Sequence, residues 1–600
     1  MKPAATKLGQ IPGSFGLVMR IIVLLYGSSF ALVARPLSLG IDLSTQSVTG
    51  VLLDQKLNLV RPAISVNFDE TFPSYGTQAG MNVGTDGVVT SPVVMWLSAL
   101  DRLLDELRDT GLLPDVSVVS CSGQQHGSVY WSEPGLAALA EPDASATGFA
   151  TALPVDSCFA VADSPIWADS STGAQCATIE AAFEGGASTV AKLTGSRAYE
   201  RFTGPQVAAV ASRRPEAWAR TERISLVSSF GAALLTGHHQ PMDSADASGT
   251  LLMNLASRQW CSTMLSCGGF PEDLRRKLGA EPVPAHAIVG TVSPFVSSRW
   301  GLPLSCAVAA SSGDNPCAIA GLGLALPGDL ALSLGTSDTL LGVAPITAAT
   351  RGATEGHLML TLTTLTLTLT LTLAHTLTLA HTHTLRPHPH PHRRPHPRPH
   401  PHPSPYTLTL RPLSHPGATE GHLMAHPTSP ESSLMAMLCY KNGGASRQAV
   451  RDELCGAKWS AFDDALERSP PGNDGILGLS LPLPEITPII ARAGEWYVDG
   501  ADRAIARERL SAEAVVRTVV EGRFLSMRAR AAAIGTSLTK EPARQPWALR
   551  DSRAQQPWAL CDHCLAGLGT ARRVLATGGG SQSAGLLQVY SRYLNPCLGM

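Results

Sequence analysis

Two stretches of this sequence, about three hundred residues apart, are built alike. From Leu37 the chain reads LSLGIDLST, and from Leu332 it reads LSLGTSDTL. Each is a short apolar strand running into a turn of small, hydroxyl-bearing residues. The first turn leads straight into a second strand, Val48–Leu53. A strand–hydroxyl turn–strand hairpin leaves backbone N–H groups free for a phosphate. Its recurrence points to two related domains, each presenting a phosphate hairpin to a shared cleft. A length of 600 residues leaves room for both. No GxxxxGK[ST] loop occurs, so a nucleotide site here has to be of this other kind.

The approach to the second hairpin is equally patterned. Gly313-Asp314-Asn315 is a compact polar triplet, and Pro316 follows where the first turn of a helix tolerates it. The small residues Cys317–Leu326 predict a tightly packed helix, Pro327-Gly328-Asp329 a turn, and Leu330–Leu334 a buried strand entering Gly335-Thr336-Ser337. Upstream, Val93–Arg108 has its apolar residues at helical spacing. Val116–Ser120 predicts a strand that ends in Ser122-Gly-Gln-Gln-His126-Gly. Polar groups at the carboxyl end of a strand are where ligands bind in α/β sheets. Gln124, Gln125 and His126 offer donors and acceptors suited to hydroxyls, although His126 taken alone reads as an ordinary loop histidine.

Other stretches leave their roles open. Trp167 beside Asp169 suits a sugar, or equally a buried indole and a helix cap. Arg197, Glu200 and Arg201 lie among turn residues, and composition gives them no role beyond solvated charge. Ile224–Leu235 reads as a buried helix or strand, and Met242–Gly249 as a loop with two carboxylates. Trp459 opens a helical pattern, Ala512–Ala532 predicts a longer helix, and Val574–Gly580 is a strand entering a glycine loop ahead of a helix from Ser583.

Charge and cysteine usage exclude some classes. The net charge is −2 with no long basic stripe, which argues against a nucleic-acid partner. Twelve cysteines without a framework favour a reduced, cytoplasmic setting, and the lone CxxC, Cys561 to Cys564, lacks a second pair at zinc spacing. The apolar run Ile21–Ala34 resembles a signal-peptide core but is short for a membrane span, so residues 1–35 read as an extension ahead of the first strand and no membrane is expected. Residues 352–430 are anomalous: GATEGHLM occurs at 352–359 and again at 417–424, around Thr-Leu, His-Thr and His-Pro repeats. Thirteen of the eighteen histidines fall between His357 and His426. A metal-binding tract is one reading; a translated simple repeat inserted at 352–416 accounts better for the exact duplication that brackets it.

Taken together, GIDLSTQS (40–47), SGQQHGSVYW (122–131), TGSRAYERFTG (194–204), TERISLVSSF (221–230), GDNP (313–316), SLGTSDTL (333–340), KNG (441–443), EITP (485–488) and LATGG (575–579) resemble the FGGY carbohydrate kinases, and within them the branch acting on xylulose. The resemblance implies an α/β fold of two actin/hexokinase-like (ribonuclease H-like) ATPase domains around a central cleft. Residues 36–320 would be the sugar domain. Residues 321–600 would be the nucleotide domain, interrupted at 352–416, with a second irregular patch at 540–566 and without the family's closing strand and helix. It implies ATP and Mg²⁺ as cofactors and phosphorylation of D-xylulose to D-xylulose 5-phosphate by a cytoplasmic monomer or dimer. The alternatives are an FGGY kinase for another sugar or polyol, or an incompetent product of an aberrant gene model. Carried over by motif, Asp42 would hold the Mg-bound phosphates. His126, Arg201, Asp314 and Asn315 would bind the sugar, with Asp314 as general base. Thr45, Gly335, Thr336, Trp459, Gly579, Gly580 and Ser583 would surround the nucleotide, Ser583 standing where relatives typically have Asn.

Overall fold

A computed structural model describes residues 36–334, 338–345, 421–487, 489–490, 492–501, 503–536, 573–577, 583 and 586. The extension 1–35, the tract 352–416, the patch 540–566 with its CxxC, and the loop residues Gly335, Thr336, Gly579 and Gly580 lie outside the described residues.

The first sheet begins with the first hairpin. Strand β1 (Leu37–Leu43) pairs antiparallel with β2 (Ser47–Leu53), which pairs with β3 (Ile64–Asn67). All seven residues of β1 are buried, so both faces of the strand are covered, as its near-continuous apolar run requires. On its other side β1 runs parallel to β4 (Val116–Gly123). With β5 (Ile288–Thr291) and β6 (Ala307–Ala309) the order is β5-β6-β4-β1-β2-β3, and a short β7 (Ser312–Gly313) lies parallel to the end of β4. Helix α1 (Val93–Arg108) spans the residues its spacing predicts, burying Leu97, Leu100, Leu104 and Leu107 against this sheet. Each such side chain contributes ~1.5–3 kcal/mol.

Helix α2 (Thr203–Arg213) follows the Arg201 segment. The run 224–235 resolves into the end of a strand, Thr221–Leu226, and a wholly buried helix α3 (Val227–Thr236) that packs on β4. The stretch 242–249 is not the loop its two carboxylates suggest. Asp243 accepts from the backbone N–H groups of Ala245 and Asp246 and so caps a short helix, α4 (Ser244–Ser248), buried throughout.

Helix α5 (Asp314–Gly321) starts at the polar triplet but stops five residues short of Leu326. Gly323 takes φ +61°, a left-handed conformation open to glycine, and ends the helix there. The second sheet then forms from β8 (Asp329–Leu334), β9 (Asp338–Pro345), β10 (His422–Ala425), β11 (Ser433–Tyr440) and β12 (Arg573–Thr577), in the order β10-β11-β9-β8-β12. Among the described strands of this sheet, only β8 and β12 are parallel neighbours.

Helices α6 (Gly443–Leu454), α7 (Trp459–Arg468) and α8 (Ala512–Thr536) complete this half, with Val515, Val516 and Phe524 of α8 in one core with Leu332 and Leu438. Two buried ion pairs fix its loops. Arg447 forks onto Asp338, the first residue of β9, at 2.7 and 2.8 Å. Arg523 bonds Glu485 at 2.9 Å, and Glu485 also accepts from the backbone of Lys441 and Asn442. The KNG and EITP segments are therefore two sides of one clasp.

Candidate active site

Three parallel strands of the first sheet end together. The register sets Asp42 beside Ser122, and Ser122 and Gly123 beside Ser312 and Gly313. Each strand end runs into polar residues: the Asp42 turn, Gln124–His126, and Asp314-Asn315. Of the sequence-predicted residues, Asp42, His126, Asp314 and Asn315 thus gather at the carboxyl ends of these strands.

Asp42 is 4% exposed. Ser44 donates to its Oδ2, while Oδ1 accepts no hydrogen bond among the described residues. Burial pushes its carboxyl up, opposed first by the Ser44 hydroxyl. A buried carboxylate oxygen with no hydrogen-bond donor among the described residues is an apt ligand for a hard cation that completes its shell with phosphate oxygens and water. Asp42 therefore fits Mg²⁺.

Asp314 begins α5, half-buried. Its Oδ1 accepts from the backbone N–H of Asn315 at 2.8 Å and from Asn315 Nδ2 at 2.9 Å. Asn315 Nδ2 also donates to Gln125 Oε1 at 2.9 Å. Burial first, and the charge of Asp42 second, push the Asp314 carboxyl up to about 7. Below it, Asp246 on α4 accepts from Ser228 Oγ at 2.5 Å and from Gln125 Nε2 at 3.5 Å. Burial raises both Asp243 and Asp246 well above the carboxylate range. Gly313 has no room for a side chain, since a Cβ would stand 2.5 Å from Gln125 Cγ and 2.6 Å from Asp246 Oδ1.

His126 sits at φ +70° with its ring against Phe202, centroids 4.7 Å apart. Its Nδ1 lies 3.0 Å from the Gly249 carbonyl. A carbonyl only accepts, so Nδ1 carries the proton and Nε2 is left as an acceptor. Burial, then the Arg201 charge, pull its pKa down to about 3, so the ring is neutral. The Arg201 guanidinium meets His422 Nε2 at 2.9 Å, and its Nε is buried with no hydrogen-bond partner among the described residues.

Two groups reach this site unannounced by the sequence. Asp246 reads there as loop charge. His422 falls in a histidine-rich, duplicated stretch, and nothing local marks it as the residue that crosses from the second sheet. Conversely, Trp167 is 40% exposed rather than buried, and its Nε1 donates to Thr45 Oγ1 at 2.9 Å. Asp169 is taken up by the Val89 and Ser171 backbones and Gln206.

On the other side, β8 and β12 end side by side, Ser333 opposite Thr577. Trp459 is 45% exposed at the start of α7, with the Arg451 guanidinium 4.5 Å from its ring centroid. Ser583 donates to Asp463, one turn on from Trp459, at 2.7 Å. Ser583 is therefore tied to the face of α7 that carries Trp459.

The family model for the FGGY carbohydrate kinases, N-terminal domain, matches residues 160–321. The chain is 36% identical over 507 residues to a xylulose kinase of Mus musculus, covering 84% of this chain and 76% of that one. It is 35% identical over 510 residues to xylulose kinase 2 of Arabidopsis thaliana, covering 83% and 78%. The fold is similar to that of a ligand-bound xylulose kinase from Lactobacillus acidophilus, with a TM-score of 0.62 and 14% identity over 93% of this chain and 84% of that one. This is the two-domain actin/hexokinase-like architecture that the paired hairpins foreshadow. With a matching family model and relatives similar along most of its length, the chain belongs to the FGGY family of carbohydrate kinases.

Proposed function

We infer that the chain phosphorylates D-xylulose with ATP, giving D-xylulose 5-phosphate and ADP. The observation that carries this reading is Asp314. It is a carboxyl poised near neutrality, at the head of a helix, one residue from an amide donor and close enough to Asp42 to feel its charge. A base of that kind suits removal of a hydroxyl proton at physiological pH.

In this reading the sugar lies over Asp314 and Asn315. His126 Nε2 accepts from a sugar hydroxyl, and the Arg201 guanidinium donates to sugar oxygens. As the sugar oxygen bonds to the γ-phosphorus and the bond to the ADP oxygen breaks, the hydroxyl proton passes to Asp314. Asp42 would hold Mg²⁺, which when bound would supply the positive charge that lets a carboxylate face a triphosphate. Thr45 and, by resemblance, Gly335, Thr336, Gly579 and Gly580 serve the phosphates and nucleoside, with Trp459 and Ser583 flanking them. Residues 36–320 act as the sugar domain and 321–600 as the nucleotide domain; each sheet lies wholly within one of these ranges. The nine described cysteines are free thiols, which supports a reducing, cytoplasmic setting. Among the described residues no helix is long and apolar enough to cross a membrane.

The test is ADP release by the purified chain with D-xylulose, D-ribulose and glycerol in turn, with and without Mg²⁺, beside a form lacking 352–416. The expected result is the highest kcat/KM for D-xylulose and dependence on Mg²⁺ in both forms. A higher kcat/KM for another acceptor overturns the sugar assignment. A folded chain inactive in both forms overturns the kinase reading.

A further inference from the structure

His422 reaches the sugar site from the opposite half of the molecule. It opens β10, the edge strand of the second sheet, yet its ring is packed among residues 196–202 of the first half. It is 4% exposed. The Tyr199 ring meets it edge-on at 4.8 Å and Phe202 lies at 5.1 Å. Its Nε2 stands 2.9 Å from Arg201 Nη2, and its Nδ1 stands 3.0 Å from Ser196 Oγ.

These partners fix the ring's state. A guanidinium has donors and no acceptor, so Nε2 has to be unprotonated. A neutral imidazole with a bare Nε2 carries its proton on Nδ1, which then donates to Ser196 Oγ. The charged and titratable neighbours acting on the ring are Arg201 and His126. Both join burial in holding its pKa well below the ordinary histidine value. The main chain of β10 is secured without the ring. Leu423 N–H donates to the Gly195 carbonyl at 3.0 Å, and Ala425 N–H donates to Ser248 Oγ at 3.0 Å.

We propose that His422 is a positioning residue for the sugar site: as the neutral Nδ1–H tautomer it holds the Arg201 guanidinium by one Nη2 donor, leaving the others for substrate oxygens. This rests on the reading of Arg201 as a sugar contact. A side chain of the nucleotide half thereby sets the aim of an arginine in the sugar half. Nothing in a bare sugar-binding pocket would require the second sheet to reach so far.

Four proteins test it: His422→Ala, His422→Gln, Arg201→Ala and the double variant with both alanines. A hydrogen bond to a charged group accounts for roughly a 10- to 100-fold change. His422→Ala is expected to raise the KM for D-xylulose by about that factor, with the KM for ATP unmoved. His422→Gln, whose amide oxygen can accept from Arg201, recovers most of the loss. The double variant is no worse than Arg201→Ala. If Arg201→Ala raises the sugar KM and His422→Ala does not, or the two losses multiply, the positioning role is overturned while the Arg201 reading stands. If Arg201→Ala leaves the sugar KM unchanged, both fall together. Nitrogen-15 spectra of histidine-labelled wild-type protein need no variant to fold. Protonated Nδ1 with unprotonated Nε2 is expected at neutral pH, and a proton on Nε2 overturns the assignment.

Discussion

Replacing Asp314 by Asn separates binding from chemistry. The amide keeps an oxygen where Asp314 Oδ1 accepts from the Asn315 backbone and side chain at 2.8 and 2.9 Å, so the loop retains its ties. What is lost is the base. General-base assistance accounts for ~10²–10⁴ in rate, or about 2.7–5.5 kcal/mol on the barrier. Turnover is expected to fall by that factor, with D-xylulose affinity by calorimetry little changed. The wild-type pH profile gives a second reading of the same group. A base works as carboxylate, and this carboxyl is pushed up to about 7. Ionisation is then half complete near that pH and about one tenth complete one unit below it. Hence kcat/KM for the sugar rises with pH through about 7 and levels off above it, and Asp314→Asn loses that limb. The assay is coupled ADP release across this range. An Asn variant of near-normal rate, or a wild-type profile flat through neutrality, refutes the base assignment.

The same contacts set three further outcomes. Gly313→Ala drives a methyl to 2.5 Å from Gln125 Cγ, displacing the loop that carries Asp314. It should cut kcat/KM by about 10²-fold, with thermal unfolding measured alongside. Arg447→Ala leaves Asp338 buried without its partner. Denaturant titration is expected to report a loss of about 3–5 kcal/mol, and a loss no larger than that of a surface pair would show the bridge to be dispensable. Asp42→Asn should raise the Mg²⁺ concentration needed for half-maximal activity while D-xylulose still binds. An unaltered Mg²⁺ dependence would remove Asp42 from the cation site.

Local patterning carries the frame of the molecule. The two hairpins, α1 and the strand before Gln124 are legible because each buries a continuous apolar run or stripe, and that property is written in neighbouring residues. The site is legible only where a motif repeats within a family. His126 or Arg201 by composition reads as loop or solvated charge, and their meeting depends on chain folding over 75 residues. Asp243 and Asp246 mislead because carboxylates usually seek water; here one caps a helix and the other is taken up by Ser228 and Gln125. The helix after Pro316 is overextended in the sequence because small residues continue past Gly321, and only the backbone angle at Gly323 reveals the stop. His422 is hidden by its surroundings, one histidine among many, and distinguished solely by what lies opposite it in space.

The parallel pairing of β8 with β12 also has a consequence for synthesis. The first sheet is complete once Gly313 has left the ribosome. In the second, β8 gains its parallel neighbour only when β12 emerges, roughly 240 residues later, or some 12–50 s at ordinary rates of translation. Through that interval one flank of β8 has open N–H and C=O groups and no partner among the described strands. An unpaired strand edge is a template for other chains. The half built on the first sheet is therefore the part that can fold as it is made, and the half built on the second sheet is the part whose yield depends on being shielded until β12 arrives.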